Sequence, residues 1–80
     1  MNTKIKFLEI VLSDLVSQRD TFELELSRIL NNDEKITVKK EEFQKVLTQI
    51  TITNNKIQML SDYLTTLSNI EGKTENNNND

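Results

Sequence analysis

The side chains of this chain that could do chemistry are hydroxyls, amines and carboxylates, because it contains neither Cys nor His. Thiolate and imidazole nucleophiles, imidazole general bases and soft metal ligands are therefore absent. Ser and Thr recur along the chain, but a hydroxyl becomes a nucleophile only beside a positioned base. Lys and carboxylate bases need an enclosed, water-poor site to shift their pKa toward neutrality. The one glycine, Gly72, cannot make a phosphate-cradling loop. Asp33-Glu34 and Glu41-Glu42 lack the alternating spacing of a calcium loop and the Gly at its turn. No catalytic, cofactor-binding or metal-ligating residue is expected, and the chain reads as a non-enzyme.

The amines suggest a different use. Lys35, Lys39, Lys40 and Lys45 are close in sequence, but Asp33, Glu34, Glu41 and Glu42 are interleaved with them and the net charge is −3. Phosphate attraction needs a basic footprint, so a solvated mixed-charge surface is the expectation and nucleic acid is not the expected partner. A small helical-bundle nucleic-acid-binding or regulatory protein is kept as an alternative, as is a small protein inhibitor of a cellular enzyme.

Two further constellations depend on the elements that carry them. Before Asn31 the chain places Ile5, Leu8, Leu12, Leu15, Arg19, Phe22, Leu26 and Ile29 in steps of three and four. After Lys39 it does the same with Phe43, Val46, Ile50, Thr53, Ile57, Leu60, Leu64 and Leu67. This is the a/d spacing of a coiled-coil seam. Folding the chain back at Ile36 sets the two series face to face, Ile29 on Phe43 down to Ile5 on Leu67, with each pair of numbers adding to 72. The expected fold is all-α, an antiparallel two-helix coiled-coil hairpin over 1–72 that oligomerises into a helical bundle.

Within this register Arg19 and Thr53, the two polar seam residues, fall opposite each other. Either they set register and oligomer state, as buried polar groups in coiled coils do, or Arg19 lays its stem on the seam and reaches water. Arg19 can also pair with Glu23 one turn on. Outside the seam, Phe7, Ile10 and Val11 cluster with Met59, Tyr63 and Ile70 near the open end of the hairpin. Such a patch is costly to leave wet, so Phe7, Ile10, Val11, Met59 and Tyr63 are the expected protein-contact residues. A homo-oligomer contact or a protein client would cover them. Leu24 and Ile52 stand apart as outlying apolar residues.

The elements are bounded as follows. Asn2 or Thr3 can cap helix 1, which runs over about 3–30. Asn31-Asn32-Asp33 ends it, with Asn able to take the left-handed conformation of a C-cap. The loop covers 31–38, with Ile36 and Val38 folded over Ile29, Leu30 and Phe43. Thr37 is the expected N-cap of helix 2, with Glu41 and Glu42 near its positive end. Helix 2 covers about 39–70. Thr48 to Asn55 is its weak stretch, because β-branched residues lower helix propensity, yet the heptad passes through unbroken. Gly72 stands where a C′ residue is expected, and the Asn-rich 73–80 tail is expected to be disordered. No run of 18 apolar residues exists to span a bilayer. Glu9 and Asp14 interrupt any signal-peptide pattern, so a cytoplasmic location is expected.

The stretch from Leu30 through Asn31-Asn32-Asp33-Glu34-Lys35-Ile36-Thr37-Val38-Lys39-Lys40-Glu41-Glu42-Phe43 to Leu47 joins a helix to an acidic-rich helix start through an Ile-x-Val step. It is similar to the small helical chaperones that assist tail-fibre assembly in large tailed phages. The resemblance covers about a fifth of the chain, and the long heptad helix 2 and the Asn-rich tail depart from that family. It implies a non-catalytic, oligomeric protein that helps a fibrous protein fold or trimerise, in the host cytoplasm if phage-encoded. It assigns no functional residue.

Overall fold

A computed structural model describes the backbone of residues 3–79 and the side chains of residues 3–70. Two helices, α1 (Thr3–Leu30) and α2 (Ile36–Asn79), are joined by the short connector 31–35 and pack along each other as a helical hairpin. The molecule measures 67 × 15 × 14 Å. It exposes 6407 Å², well above the roughly 5,000 Å² expected of a compact monomer of this mass. A ribbon one helix thick has no other option, because each helix can bury only one stripe.

The heptad chooses that stripe. Every seam position, from Ile5 to Ile29 and from Phe43 to Leu67, is half-buried or buried. Absence of proline and an unbroken period keep both helices continuous. The β-branched stretch of α2 stays helical. Thr48, Thr51 and Thr53 each donate their hydroxyl to the carbonyl four residues back, at 3.1, 2.9 and 2.8 Å, which gives each hydroxyl a partner inside its own helix.

The ends differ from the sequence expectation in three places. First, α2 begins at Ile36, and Lys39 N donates to Lys35 O at 2.9 Å. Lys35 therefore holds the N-cap position, and Thr37 sits within the first turn. Ile36 and Val38 consequently project from a helix and do not fold over the seam; Ile36 is 83% exposed. Second, α1 ends without a left-handed residue, and no described residue has a positive φ. Asn31 N donates to the Ser27 and Arg28 carbonyls, Asn32 N to Ile29 O, and the Asn31 side-chain amide to Ser27 O at 2.9 Å. These tightened bonds satisfy the last carbonyls that a left-handed cap would have served. Third, α2 continues through Gly72 to Asn79, where a C′ glycine and a disordered tail were expected. No proline follows to stop it, and an internal Gly costs only about 1 kcal/mol. Thr3 is already helical, and a capping role for Asn2 lies outside the described residues, as does Asp80.

The core is concentrated near the connector. Ile29 is 1% exposed and Val46 7%, and they are the only buried apolar side chains among the described residues. Toward the open end the seam residues Ile5, Leu8, Leu64 and Leu67 are only half-buried.

Candidate protein-contact surface

Laid out on the heptad, with Ile5 and Phe43 as position a, the seam is flanked by two faces. One carries positions c and g, the other positions b and e. The c/g face near the open end is apolar. Phe7, Val11, Met59 and Tyr63 all lie on it. They line two adjoining open recesses of about 470 and 510 Å³ that share Tyr63. Leu8 and Leu67 floor the first, and Leu15 and Leu60 the second, so the groove cuts down to the seam. Lys4 stands at one end and Lys56 at the other. Phe7 is 62% and Met59 73% exposed, a large apolar area for two side chains on a chain this small.

Four of the five sequence-predicted contact residues thus meet in one groove. Ile10 is also exposed but lines neither recess, because position f turns it to the outer edge. Leu24 and Ile52 are exposed as expected. A second apolar corner was missed. Leu30, Ile36, Phe43 and Leu47 surround a recess of about 410 Å³ beside Lys39 and Lys40. The heptad places Leu30 and Leu47 together at position e, but residue type alone reads Ile36 as loop.

No protein-family model matches the chain, and no curated protein or solved structure matches it significantly.

The polar layer has a defined geometry within the chain. The Arg19 guanidinium lies 3.6 Å from both Asp20 and Glu23, while Thr53, 5% exposed, bonds within its own helix. Arg19 therefore lays its stem across the seam and carries its charge outward. The two residues share a layer but make no cross-helix hydrogen bond.

Lys39 also has a defined role. Its Nζ donates to Leu30 O at 2.9 Å and to Asn32 O at 3.1 Å. An ammonium from α2 thus closes the carbonyl end of α1, where the helix dipole is negative. Of the four lysines near the connector, this one is turned inward onto backbone, which thins the basic patch. Arg28 and Glu25 form another ion pair, with Arg28 Nε donating to Glu25 Oε2 at 3.0 Å. That hydrogen bond holds the Glu25 carboxyl below the usual carboxylate range and raises Arg28. Both lie far along α1 from the groove, and no described group of three or more acidic residues is placed to hold a metal. No described helix is long and apolar enough to cross a membrane.

Proposed function

We propose that this chain is a non-enzymatic coiled-coil protein that acts through protein–protein contacts, as an assembly chaperone or adaptor of the tail-fibre type. The observation that carries the reading is the exposed apolar groove of Phe7, Val11, Met59 and Tyr63, open down to the seam. Apolar side chains displayed beside an incomplete seam form the receiving half of helix-in-groove packing, in which a third or fourth helix completes the core. The recesses are open troughs, and no carboxylate or amine is enclosed in them to be tuned for acid–base work. The Ile36-Thr37-Val38 step at the start of α2 supports the chaperone form of the reading through the resemblance it carries, in which a small helical oligomer assists a fibrous protein.

Site-specific photo-crosslinking tests this. A photoreactive residue replaces Met59 in the groove or Thr65 on the opposite b/e face, in cells that make the protein. Light-dependent protein adducts at position 59 and not at 65 are expected. Equal yields at both positions, or none at 59, would overturn the reading. An adduct to a cellular enzyme would turn it into the inhibitor form.

A further inference from the structure

The c/g face is complementary to itself. We infer that it docks a second copy of this chain, side by side, with both connectors at the same end and a two-fold axis along the hairpin. This rests on the protein-contact reading above and names the partner.

In that arrangement α1 lies along α2 of the second copy, antiparallel. Position c of one then meets position g of the other wherever the residue numbers add to 70. In the apolar half Phe7 meets Tyr63 and Val11 meets Met59. Farther toward the connector Asp14 meets Lys56, Glu25 meets Lys45 and Arg28 meets Glu42. Each of these three pairs is opposite in charge, and each occurs twice by symmetry. The other facing layers are Lys4 on Thr66, Gln18 on Ile52 and Thr21 on Gln49, of which Gln18 on Ile52 sets a polar group on an apolar one. Among the described residues of the single chain Asp14, Lys45 and Lys56 have no ion-pair or hydrogen-bond partner, while Glu25 and Arg28 bond to each other and Arg28 already feels the charge of its own chain's Glu42. A second copy would extend that pair into an alternating four-charge row.

The opposite b/e face is an internal control. In the same arrangement its facing positions add to 74, and they bring Ser13 onto Ser61, Asp20 onto Asn54 and Ser27 onto Leu47. No opposite charges meet there and no apolar pair forms. Size also fits. From Lys4 to Arg28 the c/g face is about 36 Å long and about 20 Å wide. Its footprint, on the order of 700 Å², is close to the ~800 Å² a side of a stable interface. The product is a four-helix bundle that covers the groove.

The test uses sedimentation velocity on the full chain across a concentration series, with circular dichroism confirming helix content in every variant. Wild type is expected at twice its 9.3 kDa chain mass. Asp14→Lys and Lys56→Asp each place like charges at both symmetric contacts and should weaken self-association about tenfold. An equimolar mixture of the two variants restores opposite charges at both contacts, so heterodimers should form with near wild-type affinity. This rescue cannot arise within one chain, because each single variant holds like charges at 14 and 56. A monomer at all concentrations would overturn the inference, as would any assembly indifferent to the two substitutions and their mixture. Groove crosslinks to a different protein alongside a monomeric mass would leave the contact reading standing and remove only the second copy. Absence of groove crosslinks together with a monomeric mass would remove both.

Discussion

The two ends of the hairpin carry the same a/d pattern and reach different degrees of closure. At the connector, Ile29 and Val46 are buried, the last carbonyls of α1 are satisfied, and Lys39 ties α2 to the end of α1. At the open end the seam residues are only half-buried, and Phe7, Met59 and Tyr63 stand beside them in solvent. A two-stranded seam shields its layers only where something flanks it. The connector supplies flanking chain and polar closure at one end, and nothing in the described chain supplies it at the other. A stable clamp and an unfinished core are thus separated along one ribbon.

The sharpest way to break this comparison is to cut the same kind of side chain at each end. Ile29→Ala removes a fully buried side chain and should cost about 3 kcal/mol of folding stability. Leu8→Ala, at a half-buried layer, should cost roughly half as much in a dilute sample. Urea unfolding followed by circular dichroism at low protein concentration gives both values. The gap should narrow at high concentration, where a second copy buries the open-end layer. Equal costs at every concentration would mean that the two ends are closed alike.

Next in size is the Lys39 clip. Lys39→Met keeps the aliphatic stem and removes the ammonium from the Leu30 and Asn32 carbonyls, at an expected cost of about 1 kcal/mol. Lys40→Met, one residue on and without such bonds, should be nearly neutral. Amide hydrogen exchange would localise the difference, with faster exchange in the last turn of α1 for Lys39→Met alone.

Much of this fold was legible in the sequence because its decisive term is periodic. Placing a side chain every three and four residues fixes which stripe two helices share, and all the seam residues from Ile5 to Leu67 fall where the heptad puts them. That Phe7, Val11, Met59 and Tyr63 share one face was legible for the same reason, since positions c and g beside a seam can be read off the numbering. What escaped was local and aperiodic. Thr37 looks like an N-cap by residue type, but the helix starts at Ile36 through a backbone bond to Lys35, which has no capping hydroxyl. Lys39 reads as one of several surface lysines, and only the three-dimensional meeting of two helix ends reveals its carbonyl partners. The end at Gly72 was judged from propensity, a small term that continued backbone bonding overrides.

A smaller effect is expected at the polar layer. Arg19 already carries its charge to Asp20 and Glu23 at the surface, so its stem alone contributes to the seam. Arg19→Leu should raise stability by about 1 kcal/mol, since an apolar branch replaces a charged side chain at a seam position. The assembly mass should stay unchanged, because no cross-helix bond is lost. A change in oligomer size on this substitution would give the Arg19–Thr53 layer a register-setting role.

The smallest expected effect is a pH dependence in the connector half of α1. The Arg28 guanidinium bonded to Glu25 lowers the pKa of that carboxyl, and Arg28 stays charged throughout. A carboxyl whose folded pKa is depressed contributes stability above its unfolded value, about 4.3, and loses it as pH falls through the folded value. Wild type should therefore melt slightly above Glu25→Gln at neutral pH, and the two curves should converge only as pH falls through the depressed folded value. Because both side chains are exposed, molar salt should shrink the neutral-pH difference as well. At concentrations where a second copy docks, Glu25 also meets Lys45 of that copy, so the neutral-pH difference should grow with protein concentration. A difference that survives at pH 2 in dilute solution would assign the effect of the substitution to helix propensity or packing and not to the ion pair.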